Sequence, residues 1–177
     1  MQFIETPIPG AYLIQPEPRQ DERGFFARVY CQDEFAAHGL HTRWVQNNIS
    51  YNAQRGTLRG MHYQAQPYGE IKLVRCTQGA IFDVIVDLRP DSPTFKQWYG
   101  VELSAENRHM LYIPVDVAHG FQTLADATEV FYWMGEFYHP DAARGVRWDD
   151  PAFGIEWSPA KTRIISAKDQ AYPDFTL

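Results

Sequence analysis

Cysteine is scarce in this sequence, and no apolar run is long. The 177 residues include two cysteines, Cys31 and Cys76, too few for a disulfide framework and in neither a Cys-x-x-Cys nor a zinc-ligand spacing. No window approaches the roughly 18 apolar residues of a membrane span, and Met1–Glu5 has neither the cationic start nor the apolar stretch of a signal peptide. A cytoplasmic location with reduced thiols and no membrane partner is therefore expected. An excess of cations is missing too. Sixteen Lys and Arg stand against 22 Asp and Glu, a formal charge of -6, which argues against nucleic acid as a partner but leaves room for a small basic pocket. Repeats, low-complexity segments and linkers are absent, so one domain spanning 1–177 is expected, with enough interior for a sizeable core.

Aromatics, prolines and glycines are plentiful. Aromatic residues make up 15% of the chain, and twelve prolines and twelve glycines are scattered along it, a composition suited to a turn-rich β fold. Period-2 patterning predicts strands at 11–14, 25–30, 43–49, 56–64, 71–75, 94–103, 108–113, 118–123 and 128–134. The clearest alternation is at 80–88, with Phe82, Val84, Val86 and Leu88 on one face and Ile81, Asp83, Ile85 and Asp87 on the other. One short helix is expected at Asp33–His38, stopped by Gly39. The tail after Pro140 reads as irregular. The expected fold class is all-β, a sandwich or barrel with few short helices.

The stretch from Gly56 to Gln64, followed by Ile71–Arg75, reads as two neighbouring strands that bring Arg59, His62 and Lys72 close together. Leu58, Gly60, His62 and Gln64 share one face, and Arg59 joins them only if Gly60 sits in a bulge. Cations gathered in an otherwise apolar sheet call for an anionic ligand or an anionic partner. Asp83, between Ile81 and Ile85, needs a partner as well, and Lys72 or Arg75 on an adjoining strand is expected to supply it. A metal site is not expected. Where a barrel metal site would place a second histidine after His62 stands Gln64, and His41, His109, His119 and His139 are scattered. Metal-free acid–base chemistry fits better: His62 as a base, Lys72 at a developing oxyanion, and Tyr132 returning a proton from another strand. Tyr132 equally suits a core. Tyr138 and Phe26 suit either packing or a stacking platform, and Asp169 suits a solvated turn.

The chain resembles the dTDP-4-dehydrorhamnose 3,5-epimerase family over essentially its full length. The resemblance rests on Asp21–Phe26, Gln46–Asn48, Leu58–Gln64, Lys72–Arg75, Asp83, Asp87–Arg89, Ser92–Phe95, Leu103–Asn107, Ile113–Pro114, Ala118–Phe121 and Ser166–Asp169. It implies a cupin-type jelly roll, a homodimer whose N-terminal strands join the partner's sheet, and a nucleoside-diphosphate 4-keto-6-deoxyhexose as substrate, with no cofactor. By the same resemblance His62 is the base, oriented by Asp169; Tyr132 is the acid; and Lys72 stabilises the enolate. Arg23, Arg59, His119 and Lys168 hold the diphosphate and sugar, with Gln46 and Asn48 nearby, while Tyr138 and Phe26 flank the nucleobase. The chain departs from the family at Arg28 and Ala143, where glutamates are usual. An arginine suits an acceptor edge such as that of cytosine, so Arg28 leaves two expectations: a shift of preference to a CDP-linked sugar, or an Arg28 that faces a phosphate or solvent while dTDP still binds. The competing readings are an epimerase acting at C3 or C5 alone, a catalytically silent sugar-nucleotide binder, and a metal-dependent dioxygenase.

Overall fold

Two antiparallel sheets face each other in the computed structural model, which describes residues 1–176. The first runs in the order β1 (Gln2–Glu5), β2 (Tyr12–Gln15), β10 (Met110–Ile113), β7 (Lys72–Gln78), β12 (Thr128–Met134), β5 (Gln46–Asn52). The second runs β13 (Ala143–Gly145), β6 (Thr57–Gln64), β11 (Val117–Thr123), β8 (Ala80–Asp87), β9 (Trp98–Ser104), with β14 (Ile164–Ile165) pairing in parallel with β6. Sequence neighbours repeatedly fall in opposite sheets, which gives the cupin-type jelly roll expected above. A separate hairpin, β3 (Arg19–Asp21) with β4 (Gly24–Phe26), stands apart from both sheets and is exposed along its whole length. Two short helices, α1 (Gln32–Ala37) and α2 (Ala167–Gln170), complete the secondary structure along with a 3₁₀ turn at Pro140–Ala142. None of the helices among the described residues is long and apolar enough to cross a membrane.

The alternation of β8 explains the layering. Ile81 and Ile85 point between the sheets, where they pack with Val74, Leu111, Val117 and Val130. Val84 and Val86 point out through the back of the second sheet, where Val146, Phe153 and Trp157 of the tail cover them. The tail is thus a lid over the outer face of that sheet. On the far side, α1 lays Phe35 over Ile14, Leu73, Met110 and Tyr112. Gly39 adopts a φ of 69° just beyond that helix and ends it where the sequence requires. Each aliphatic side chain taken fully out of water in these layers contributes about 1.5–3 kcal/mol.

Several expectations need correction. The strand expected at 25–30 stops at Phe26, and the one expected at 43–49 is β5, three residues later, because the ladder with β12 begins at Gln46↔Met134. The tail is less irregular than its composition suggests, since it supplies β13, β14 and α2. β6 and β7 are not ladder neighbours either. The Ala65–Ile71 connector carries the chain from one sheet to the other, so Arg59 and His62 meet Lys72 across the sandwich.

Candidate active site

The centre of β6 is irregular, and the irregularity builds the site. Its register with β11 pairs His62 with His119 and Arg59 with Phe121, so three steps on β6 oppose two on β11. This is the bulge that the glycine at position 60 allows. Gly60 has a φ of 126°, and a Cβ there would lie 2.5 Å from the Gly120 Cα and 2.9 Å from the His119 carbonyl oxygen. The extra residue sends Leu58 and Met61 under the tail and turns both Arg59 and His62 towards the cavity.

The same stretch of β6 is open on its outer edge. β14 pairs with Thr57 and Leu58, and β13 pairs with His62 to Gln64; between them α2 inserts Asp169. Its Oδ2 accepts from the Gly60 N–H at 3.2 Å, and its Oδ1 lies 2.7 Å from His62 Nε2. The Ser166 hydroxyl caps α2 by accepting from the Asp169 N–H at 3.1 Å. Asp169 is only 4% exposed. Burial alone would raise its carboxyl, but the hydrogen bonds and charge of His62, the Gly60 amide and Ser166 outweigh that and hold it below its ordinary value. With Nε2–H donated to Asp169, the imidazole carries its lone pair on Nδ1.

Lys72 and Tyr132 come from the opposite wall. Lys72 is 7% exposed; its Nζ lies 2.6 Å from Glu70 Oε1 and 3.4 Å from the His62 carbonyl oxygen. Tyr132 belongs to the face of β12 that carries Val130 inward, and packs against the central core. Its hydroxyl is held above the usual tyrosine range, first by burial and then by the Glu70 charge, with Arg59 opposing. Between the walls is a cavity of about 750 Å³, bordered by Arg59, His62, Lys72, His119, Tyr132 and Lys168. A second lobe of about 240 Å³ shares His62, Lys72, Tyr132 and Lys168, and continues past Tyr138, Ala143 and Tyr172.

His119 is fixed by Asp83 at 2.7 Å. The partner expected for Asp83 was Lys72 or Arg75. β8 instead neighbours β11 and β9, while Lys72 sits in the facing sheet paired to Glu70. Asn48 lies opposite Tyr132 on β5, and Gln46 accepts the Tyr138 amide at 3.1 Å. Neither Gln46 nor Asn48 is among the residues bordering the two lobes, and within one chain three more named residues lie away from the cavity. Arg23 pairs with Asp21 on the exposed hairpin, Phe26 is 69% exposed, and Arg28 pairs with Glu34 at 3.1 Å. Sequence reasoning missed Glu70, Asn52, whose Oδ1 accepts from Arg59 Nε at 2.8 Å, and Tyr172, whose ring meets His62 edge-on at 6.2 Å. Only Glu70 left a signal, its i, i+2 spacing from Lys72.

Two sheets closing over a cavity bordered by a His–Asp pair, a lysine and a tyrosine define the class, a cupin-type carbohydrate epimerase. Residues 5–176 match the family model described as dTDP-4-dehydrorhamnose 3,5-epimerase, and the chain belongs to that family. It is 45% identical to the dTDP-4-dehydrorhamnose 3,5-epimerase of Shigella flexneri over 96% of this chain and 93% of that one. The crystal structure of the Bacillus anthracis str. Ames enzyme of that name, with TDP and PPi bound, superposes with a TM-score of 0.94 at 45% identity, covering 98% of this chain and 99% of that one. A dTDP-6-deoxy-D-glucose-3,5-epimerase from Legionella pneumophila Philadelphia 1, in complex with dTDP-4-keto-L-rhamnose, superposes with a TM-score of 0.90 at 39% identity, covering 97% and 90%.

Proposed function

We propose that the chain inverts C3 and C5 of a dTDP-linked 4-keto-6-deoxyhexose, with His62 as base and Tyr132 as proton donor. The observation that carries this is their placement on facing walls, with Lys72 beside both. The C4 ketone acidifies the hydrogens on C3 and C5. His62 Nδ1 removes one of them, and the electron pair moves onto the ketone oxygen as an enolate held by the Lys72 ammonium. Tyr132 then delivers a proton to the other face of the same carbon, which inverts it. The Arg59 guanidinium and the Lys168 ammonium, with His119, border the larger lobe and suit the diphosphate. Tyr138 in the second lobe suits stacking on the base.

Thymidine is favoured over cytidine as the nucleoside. The two related structures hold TDP with PPi and dTDP-4-keto-L-rhamnose, and the Arg28 charge is already matched by Glu34. The reading includes a homodimer. The β3–β4 hairpin has no core of its own and exposes Phe25 and Phe26 at 46% and 69%, while β5 is an unpaired sheet edge at the cavity mouth. A second copy's hairpin on that edge would deliver Arg23 and Phe26 to the cavity. The free thiols Cys31 and Cys76 fit a cytoplasmic enzyme.

The test is proton NMR of the purified protein in D2O with the dTDP-linked 4-keto-6-deoxyglucose and, separately, the CDP-linked sugar. Deuterium entering C3 and C5 of the dTDP sugar with inversion is expected. Exchange confined to the CDP sugar would restore the cytosine reading of Arg28, and exchange at one carbon would make this a single-centre epimerase. For the dimer, mixing inactive His62→Asn with inactive Arg23→Ala should restore activity in mixed dimers. No recovery would remove the shared site.

A further inference from the structure

We propose that Glu70 is a positioning residue for epimerisation: together with the His62 carbonyl it fixes two of the three Lys72 N–H bonds, and so directs the third at the oxyanion forming on the substrate ketone. The assignment rests on the function proposed above. An ammonium offers three donors and no acceptor. In Lys72 one donor faces Glu70 Oε1 at 2.6 Å, and a second is within reach of the His62 carbonyl oxygen at 3.4 Å. Both residues of the ion pair are more than nine-tenths buried, so the pair itself is shielded from bulk water. The Lys72 side chain forms part of the wall of both cavity lobes, between His62 and Tyr132, so the third N–H is left for a ligand.

The backbone holds Glu70 in place. The Ile71 carbonyl accepts from the Gly135 N–H at 2.8 Å, which ties the connector to the end of the strand bearing Tyr132. The carboxylate therefore sits at a fixed place relative to both Lys72 and Tyr132. Its charge also acts on Tyr132, where, after burial, it is the next influence keeping the phenol protonated. A buried ion pair with a purely structural role has no reason to be placed against both groups. Exchange of such a pair for a neutral one costs little and can even stabilise.

The experiment compares wild type, Glu70→Gln, Lys72→Met and the double variant in the deuterium-exchange assay, with thermal midpoints measured alongside. Glu70→Gln keeps the shape and loses the charge. The expected result is a kcat lower by about 10–100-fold with KM within about threefold, the signature of an interaction made in the transition state. In the Lys72→Met background the same change should alter kcat by less than about twofold, because its effect runs through Lys72. If Glu70→Gln folds poorly, Glu70→Asp, which withdraws the carboxylate by one methylene, reads the same kcat. Unchanged kcat in the folded variant, or an equal loss in both backgrounds, would overturn the assignment. A wild type that exchanges no deuterium would instead sink the epimerase reading itself.

Discussion

One nitrogen of His62 is committed to Asp169, and the chemistry proposed for the other depends on that commitment. Asp169→Asn keeps the shape but offers an amide, which no longer favours the tautomer with its lone pair on Nδ1. The expected outcome is a kcat lower by about 10²–10⁴-fold, with dTDP affinity by calorimetry within about threefold, since Arg59, Lys168 and His119 are untouched. An Asp169→Asn enzyme with full kcat would show that the carboxylate merely caps the Gly60 amide. At this scale the sequence was legible where basic residues gather on otherwise apolar strands. Arg59, His62 and Lys72 announced a ligand site and do border one cavity. Partners were harder to read. Asp83 bonds His119 rather than Lys72, because ladder neighbours depend on sheet order, which alternation within a strand does not encode. Glu70 passed as part of a turn for the same reason: its role appears only once the connector crosses between sheets.

At the scale of elements, β6 shows how one residue sets a strand's facing. The dependence of Arg59 on a Gly60 bulge was readable from the period-2 pattern, and the register with β11 contains that bulge. Gly60→Ala would press a methyl group against the Gly120 Cα and the His119 carbonyl at a positive φ. It should destabilise the fold by about 2–4 kcal/mol and weaken diphosphate binding, as Arg59 and His119 shift together; thermal unfolding and dTDP titration check both. A variant with wild-type midpoint and affinity would mean that the bulge tolerates a side chain. β13, β14 and α2 were not legible. Each is only two to four residues long, too short for periodicity, and each exists because β6 offers open edge groups to pair with.

The whole molecule holds its turns with buried carboxylates as well as with its core. Asp87 is fully buried. Burial alone would raise its carboxyl, but bonds from Arg89, Ser92 and Thr94 outweigh that and hold it down at about 2, against an ordinary 3.8. A group lowered on folding stabilises the protein above its unfolded value, and that contribution is lost as pH falls through the folded one. Between pH 4 and pH 2 the wild type should therefore lose about 2 kcal/mol more stability than Asp87→Asn, measured by urea unfolding at each pH. Parallel curves would place the acid sensitivity elsewhere. The sandwich and ten of the fourteen strands among the described residues were legible from alternation and turns; β1, β3, β13 and β14 were not. The standing of β3–β4 was not, since Phe25 and Phe26 look like core residues in sequence and are exposed in the single chain.

The central claim is that His62 and Tyr132 act on one carbon from opposite walls, and carbon-resolved deuterium NMR of two variants tests it most directly. With Tyr132→Phe, solvent deuterium should still enter the sugar through His62 while inversion falls by about 10²-fold or more. With His62→Asn, neither exchange nor inversion should be seen. Exchange that persists without His62, or inversion at the wild-type rate without the Tyr132 hydroxyl, would contradict the account.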